Sequence, residues 1–124
     1  MNGESTQLAQ VRPAGTTAVL GYENPVPPQG RGLNTEITLV VVCNTTGSAA
    51  NFSVYHDNDG DTFDQTTALY YGKSLAANET LFLSIPSPNS GVAVKAGGKI
   101  GVQSSVANAL TFSLYGITQQ VPTR

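Results

Sequence analysis

Apolar and polar residues alternate along most of this chain, with a period of two rather than the longer period of an amphipathic helix. Near the C-terminal end, for example, Leu110, Phe112 and Leu114 are each separated by one residue, as in a strand with one buried face. The alternation predicts eight strands, at residues 8–12, 16–22, 35–44, 50–56, 68–75, 79–85, 99–106 and 109–117. The chain is therefore expected to be all-β.

Clusters of turn residues separate the predicted strands, and they predict the architecture. The clusters are NPVPPQGRG (24–32), NTTGSAAN (44–51), DNDGDTFD (57–64) and SPNSG (87–91). No ten-residue stretch combines helical apolar spacing with capping residues, so essentially no helix is expected. About eight short strands joined by polar loops favour a two-sheet antiparallel β-sandwich of jelly-roll type. An immunoglobulin-like sandwich is the alternative.

Two pairs of neighbouring strands are predicted to form hairpins. Residues 35–56 contain Gly47, which is expected to take the positive φ of a tight turn between antiparallel strands. Residues 99–117 form the second predicted hairpin, with Ala107 and Asn108 near its turn.

The first ten residues are predicted to be an arm rather than part of the core. Residues 1–10 are polar, carry Glu4 as their only charged side chain and have little to bury. Ten extended residues reach on the order of 30 Å, far enough to contact a neighbouring subunit. We therefore divide the chain into an arm, 1–10, with Asn2, Glu4, Thr6 and Leu8 as predicted contacts, and one sandwich domain, 11–124.

Composition and charge exclude several classes of partner. Only 11% of the 124 residues are charged and the net charge is −2, whereas Ser, Thr, Asn and Gln account for 40 residues. Nucleic acids and anionic membranes attract clusters of Lys and Arg, and the six basic residues here are scattered. The longest apolar run, Leu39 to Cys43, is far shorter than a membrane span, and no apolar signal-peptide core follows Met1. We expect no nucleic-acid partner, no membrane partner and, with one cysteine, no internal disulfide.

The chain carries little material for catalysis. Its one histidine, His56, is in phase with the predicted strand 50–56 and is expected to be a hydrogen-bonded residue at the strand end. No GxSxG sequence or phosphate-binding glycine loop is present. We therefore expect neither an enzyme nor a cofactor.

One acidic cluster has two interpretations. Asp57, Asp59, Asp61 and Asp64 hold half of the eight carboxylates, but Thr62 and Ala68 stand where an EF-hand loop needs Gly and Glu. The first interpretation is a solvated turn held by side-chain hydrogen bonds to the backbone. The second is a weak Ca²⁺ site formed by the four carboxylates.

Two further groups are candidates for contacts with a partner. Tyr70 and Tyr71 must point to opposite faces of a strand, so at most one is buried and the other is exposed or covered by a partner. In the loop 24–32, prolines such as Pro27 and Pro28 lower the entropy lost on docking, and Arg31 offers a forked donor for a carboxylate. Low surface charge also favours self-association.

Four segments, read together, carry a resemblance to known proteins. They are LAQVRPAGTTAVLGY (8–22), VVVCNTTGSAANFSVYHDNDGDTFDQTTALYY (40–71), LAANETLFLSI (75–85) and KIGVQSSVANALTFSLYGI (99–117). Their ordered features resemble small all-β virion structural proteins of tailed bacteriophages, in particular capsid decoration (cement) proteins. The resemblance implies a jelly roll that binds the outer surface of the assembled head and stabilises contacts between capsomers.

The resemblance also implies partners and leaves alternatives open. The implied partners are the major capsid protein of the phage head and further copies of the chain, as a dimer or trimer. A tail, fibre or baseplate component is one alternative within the virion. A carbohydrate-binding β-sandwich module, using Tyr70, Tyr71 and the aspartate-rich turn, is the alternative from another class.

Overall fold

The structure is a computed structural model that describes residues 6–24, 32–58, 60, 62–84, 92–94 and 98–121. These residues form nine strands and one short 3₁₀-helix, η1 (Gln65–Thr67). The strands are β1 (Thr6–Val11), β2 (Val19–Glu23), β3 (Gly32–Asn44), β4 (Ala50–Asp57), β5 (Ala68–Leu75), β6 (Thr80–Ser84), β7 (Val92–Val94), β8 (Lys99–Ser104) and β9 (Leu110–Val121). The predicted all-β class is confirmed.

The strands form two antiparallel sheets whose order defines a jelly roll. Sheet A has the order β1-β9-β3-β6, and β7 also pairs with β3; sheet B has the order β2-β8-β4-β5. The first strand pairs with the last, β2 with β8, β3 with β6 and β4 with β5, as if one long hairpin had been rolled into two sheets. β6 and β7 flank successive parts of β3, so the nine strands occupy eight positions.

The predicted strands agree with the observed ones except at their ends and at β7. β5 matches its predicted range, whereas β9 continues to Val121 and β2 begins only at Val19. The sequence pattern does not predict β7, because three apolar or small residues, Val92, Ala93 and Val94, show no alternation.

Both predicted hairpins are wrong. β3 lies in sheet A and β4 in sheet B, and β8 and β9 are divided between the sheets in the same way. Each turn therefore crosses from one sheet to the other instead of joining partners within a sheet. Gly47 does not take a positive φ; among the described glycines only Gly72 does, at 65°.

Residues 6–10 of the predicted arm form part of a strand. Residues 6–10 belong to β1, which pairs with β9 along the edge of sheet A from Thr6 opposite Gly116 to Val11 opposite Phe112. The pairing with β9 satisfies the backbone groups on one side of these residues, and the strand extends sheet A. Residues 1–5 lie outside the described residues.

The core lies between the inner faces of the two sheets. Phe52 of sheet B and Phe112 of sheet A meet edge to face, with ring centroids 6.1 Å apart, and both are almost fully buried. Val42, Leu110 and Leu114 are fully buried beside them. Each such side chain contributes roughly 1.5–3 kcal/mol by leaving water, so packing between the sheets holds the fold.

Candidate functional site: the outer faces of the two sheets

The outer face of sheet A carries a group of apolar side chains that the core does not bury. Val41 pairs with Phe82 on one side, and Leu39 pairs with Tyr115 on the other. Phe82 is 64% exposed, and the others are partly exposed. We call this group the apolar face; its residues are Leu39, Val41, Cys43, Phe82 and Tyr115.

The apolar face arises because β3 is apolar on both sides. Val40 and Val42 point into the core, while Leu39 and Val41 point outward, so the run LVVVC resembles a strand that is covered on both faces. The residues paired across the strands with the apolar face, or next to those partners on the same face, are polar but uncharged. They are Gln7, Gln10, Thr80, Thr111 and Ser113. An exposed apolar group bordered by uncharged polar side chains is typical of a protein interface.

Arg12 lies at one end of the apolar face, next to Thr111. The Arg12 guanidinium donates through Nε to Thr111 Oγ1, 3.1 Å away, and through Nη2 to Thr45 Oγ1, 3.2 Å away. A third, longer bond reaches the carbonyl of Asn108. Arg12 therefore ties β1 to the loops at the end of the sandwich.

The aspartate-rich turn folds over the outer face of sheet B. The ring of Phe63 stacks on Tyr55, with centroids 6.2 Å apart, and covers Gly101. A Cβ at Gly101 would lie 2.5 Å from the Phe63 ring, so only glycine allows this contact. As a result Tyr55, although it points outward, is 1% exposed.

Two of the four clustered aspartates hold this turn through backbone hydrogen bonds. Asp57 Oδ2 accepts from the N–H of Thr62, 2.9 Å away, and Asp64 Oδ1 accepts from the N–H of Thr66, 2.8 Å away. Asp59 and Asp61 lie outside the described residues. Among the described residues, no group of three His, Cys, Asp or Glu side chains is placed to hold a metal ion.

The Asp64 cap gives a pH-dependent prediction. Hydrogen bonds from the Thr66 hydroxyl and then from its backbone N–H hold the pKa of Asp64 below its ordinary value. Because the folded-state pKa is lowered, the contribution of the cap is present above the unfolded-state pKa and is lost as pH falls through the folded-state pKa. We expect a carboxyl NMR titration to place the pKa of Asp64 below its ordinary value, and Thr66→Ala to raise it. Equal midpoints in the two proteins would contradict this assignment.

His56 takes the structural position that its strand phase predicts. It lies one residue before the end of β4, is partly buried, and its Nε2 is 2.8 Å from Asn58 Oδ1.

In the described part of the chain no helix is long and apolar enough to cross a membrane.

A shallow cleft opens on the outer face of sheet B, beside the turn. Its volume is about 240 Å³, and we call it the Tyr71 cleft. It is lined by Asn51, Ser53, Tyr71, Gly72, Gln103 and Ser105. Strands β4 and β5 each contribute two of these residues and β8 contributes Gln103, while Ser105 directly follows the end of β8.

The predicted contact residues lie in different places. Thr6 is exposed on the edge strand, whereas Leu8 packs against the core. Tyr70 packs inward against Phe52, with ring centroids 6.4 Å apart, and Tyr71 is exposed outward, as the alternation predicts. The remaining predicted contacts lie outside the described residues: Asn2, Glu4, Pro27, Pro28 and Arg31.

Sequence reasoning did not single out the apolar face or most of the Tyr71 cleft. The sequence could have indicated Phe82, because it lies between Leu81 and Leu83. Both leucines point toward the core, so alternation places Phe82 on the outer face. No local pattern indicates that Asn51 and Ser105 are neighbours, since they are 54 residues apart and meet only through strand pairing.

Comparisons with known proteins found a weak structural neighbour and no matching family model. No protein-family model and no curated protein matches the sequence. A chain in the structure of infectious bursal disease virus, Gx strain, is similar to it with a TM-score of 0.49 and 15% sequence identity. The similarity covers 94% of this chain but 32% of the viral chain, so this chain spans about a third of that neighbour's length.

Proposed function

We propose that this chain is a virion structural protein of a tailed bacteriophage and, more specifically, a capsid decoration protein. It binds the outer surface of the assembled head, contacts the major capsid protein and stabilises the contacts between capsomers. Two features support this proposal: the resemblance of segments 8–22, 40–71, 75–85 and 99–117 to such proteins, and a jelly-roll fold. The role is mechanical and does not involve catalysis.

The apolar face is the observation that carries the proposal. Its most exposed side chain, Phe82 on the edge strand β6, is 64% exposed, and the residues paired beside the face are polar and uncharged. Covering such a surface costs little free energy of desolvation, because it has no charged groups among its paired residues. Burying the aromatic ring is favourable. We assign this face to the contact with the shell protein.

The mechanism follows from the difference between free and assembled subunits. A ligand that binds only the assembled state stabilises it by mass action, because its binding free energy is lost when the assembly separates. A rigid sandwich placed across a boundary between capsomers acts in this way. Many weakly bound copies together stabilise the shell.

The copy number of the chain in purified particles tests the proposal directly. Quantitative mass spectrometry should find it in numbers comparable to the major capsid protein. A handful of copies per particle would instead indicate a tail, fibre, baseplate or vertex component. Absence from particles would overturn the virion role.

A substitution in the apolar face tests the assigned contact. Phe82→Ser should weaken binding to assembled heads by about tenfold or more, because it removes a large apolar side chain from the interface. The measurement is cosedimentation of the purified protein with heads that lack it, with free capsid subunits as the unbound comparison.

The matched control is Leu69→Ser, which removes an exposed apolar side chain from sheet B. It should leave head binding unchanged. Equal losses in the two variants, or none in Phe82→Ser, would place the contact elsewhere on the molecule.

A further inference from the structure

The geometry points to a second site, independent of the head-binding role: the Tyr71 cleft binds one ring of a neutral saccharide. This cleft lies on sheet B, on the opposite side of the sandwich from the apolar face. A decoration protein bound through sheet A would therefore present the cleft outward.

Tyr71 supplies the flat apolar surface that the C–H face of a sugar ring requires. It is 59% exposed, the phenol oxygen accepts a hydrogen bond from Gln65 Nε2, 3.4 Å away, and the next residue, Gly72, has a φ of 65°. The positive φ interrupts the regular strand, and Ser53 Oγ accepts the Gly72 N–H at 3.0 Å. The backbone beside Tyr71 is thus held by Ser53, and the bond from Gln65 restrains the ring, which lowers the entropy lost on binding.

Ser105 and Gln103, which line the cleft, each keep hydrogen-bonding groups that the protein does not use. Ser105 Oγ accepts from the backbone N–H of Asn51 at 2.8 Å, so its hydroxyl hydrogen is available to a ligand. Gln103 accepts from the Tyr55 hydroxyl and donates to the carbonyl of Thr16 at 2.9 Å. Each of these bonds uses one position of the Gln103 amide, which leaves one donor and one acceptor.

The lining disfavours charged ligands. None of the six lining residues is charged, so the cleft has no counterion for a phosphate, a carboxylate or a cation. Its volume of about 240 Å³ lies below the range of drug-sized sites, roughly 300–1,000 Å³, and suits one sugar ring. An aromatic ring beside amides and hydroxyls matches a ligand with one apolar face and a rim of hydroxyl groups.

Chemical-shift mapping of the full chain tests the site. The probes are a panel of neutral hexoses, N-acetylhexosamines and their disaccharides, titrated into isotope-labelled protein. At least one probe should shift the amide signals of Asn51, Gly72 and Ser105 without moving those around Phe82. Tyr71→Ala should weaken that binding by about tenfold, whereas Tyr71→Phe, which keeps the ring, should retain most of it.

The control variant is Tyr115→Ala, which removes a tyrosine from the outer face of sheet A and should leave saccharide binding unchanged. Adenosine and uridine serve as flat, neutral comparison ligands. Binding of the nucleosides but not of the saccharides would overturn the assignment. So would the absence of a shift with every saccharide, or saccharide binding that survives Tyr71→Ala. Head binding, measured separately through Phe82→Ser, is unaffected by either outcome.

Discussion

Gly116→Ala should lower the free energy of unfolding by about 3 kcal/mol or more. Gly116 lies in β9 opposite Ile37 of β3 and Thr6 of β1, at the centre of sheet A. A Cβ at this position would overlap the backbone carbonyl oxygen of Glu36 and lie 3.0 Å from Leu8 Cδ1. Because the carbonyl belongs to a paired strand, it cannot move aside without breaking the sheet.

Urea unfolding followed by circular dichroism measures this effect, with Gly47→Ala as the matched control. A methyl group on the Cα of Gly47 would have nothing within 4 Å of it, and Gly47 does not have a positive φ. Its substitution should change stability by less than about 1 kcal/mol and is expected to be slightly stabilising. Similar unfolding midpoints for the two alanine variants would refute the close-approach argument at Gly116.

Asn44→Asp should destabilise the protein by about 3 kcal/mol, although it barely changes the side chain's shape. The buried amide nitrogen of Asn44 donates toward the carbonyls of Ser48 at 2.8 Å, Ala76 at 3.1 Å and Leu75 at 3.4 Å. A carboxylate would face the same three carbonyl oxygens without a hydrogen to donate. Since Asn44 ends β3 and Leu75 ends β5, the bonds that are lost connect the two sheets.

The control for this variant is Asn51→Asp, which adds the same charge at an exposed position of β4. It should change the free energy of unfolding by less than about 0.5 kcal/mol. Thermal unfolding of both variants decides the outcome. A loss at Asn44 no larger than that at Asn51 would mean that the amide does not hold the sheets together.

The strands were predictable because burial in a sandwich alternates with the same period as the side chains. In β6, Leu81 and Leu83 pack toward the core while Phe82 points away from it, as the sequence pattern predicts. The opposite orientations of Tyr70 and Tyr71 follow from the same period. Local alternation therefore reports which face of a strand is buried.

Strand partners were not predictable in the same way. A turn rich in Gly, Ser and Asn is compatible with a hairpin and equally with a crossing between sheets, and NTTGSAAN makes the crossing. The choice depends on bonds between residues far apart in sequence, such as those from Asn44 to Leu75 and Ala76. The Tyr71 cleft could not be predicted for the same reason, because its residues come together only through the order of strands in sheet B.

The pairing of the first strand with the last has a consequence for how the protein folds. Gln10 and Ser113, joined by a side-chain hydrogen bond, are 103 residues apart, so β1 has no partner until β9 has been synthesised. Folds dominated by such distant contacts form slowly, on a scale of milliseconds to seconds. During that interval the run LVVVC of β3, apolar on both sides, is exposed to other nascent chains. The chain is therefore most prone to aggregation in the interval before sheet A closes.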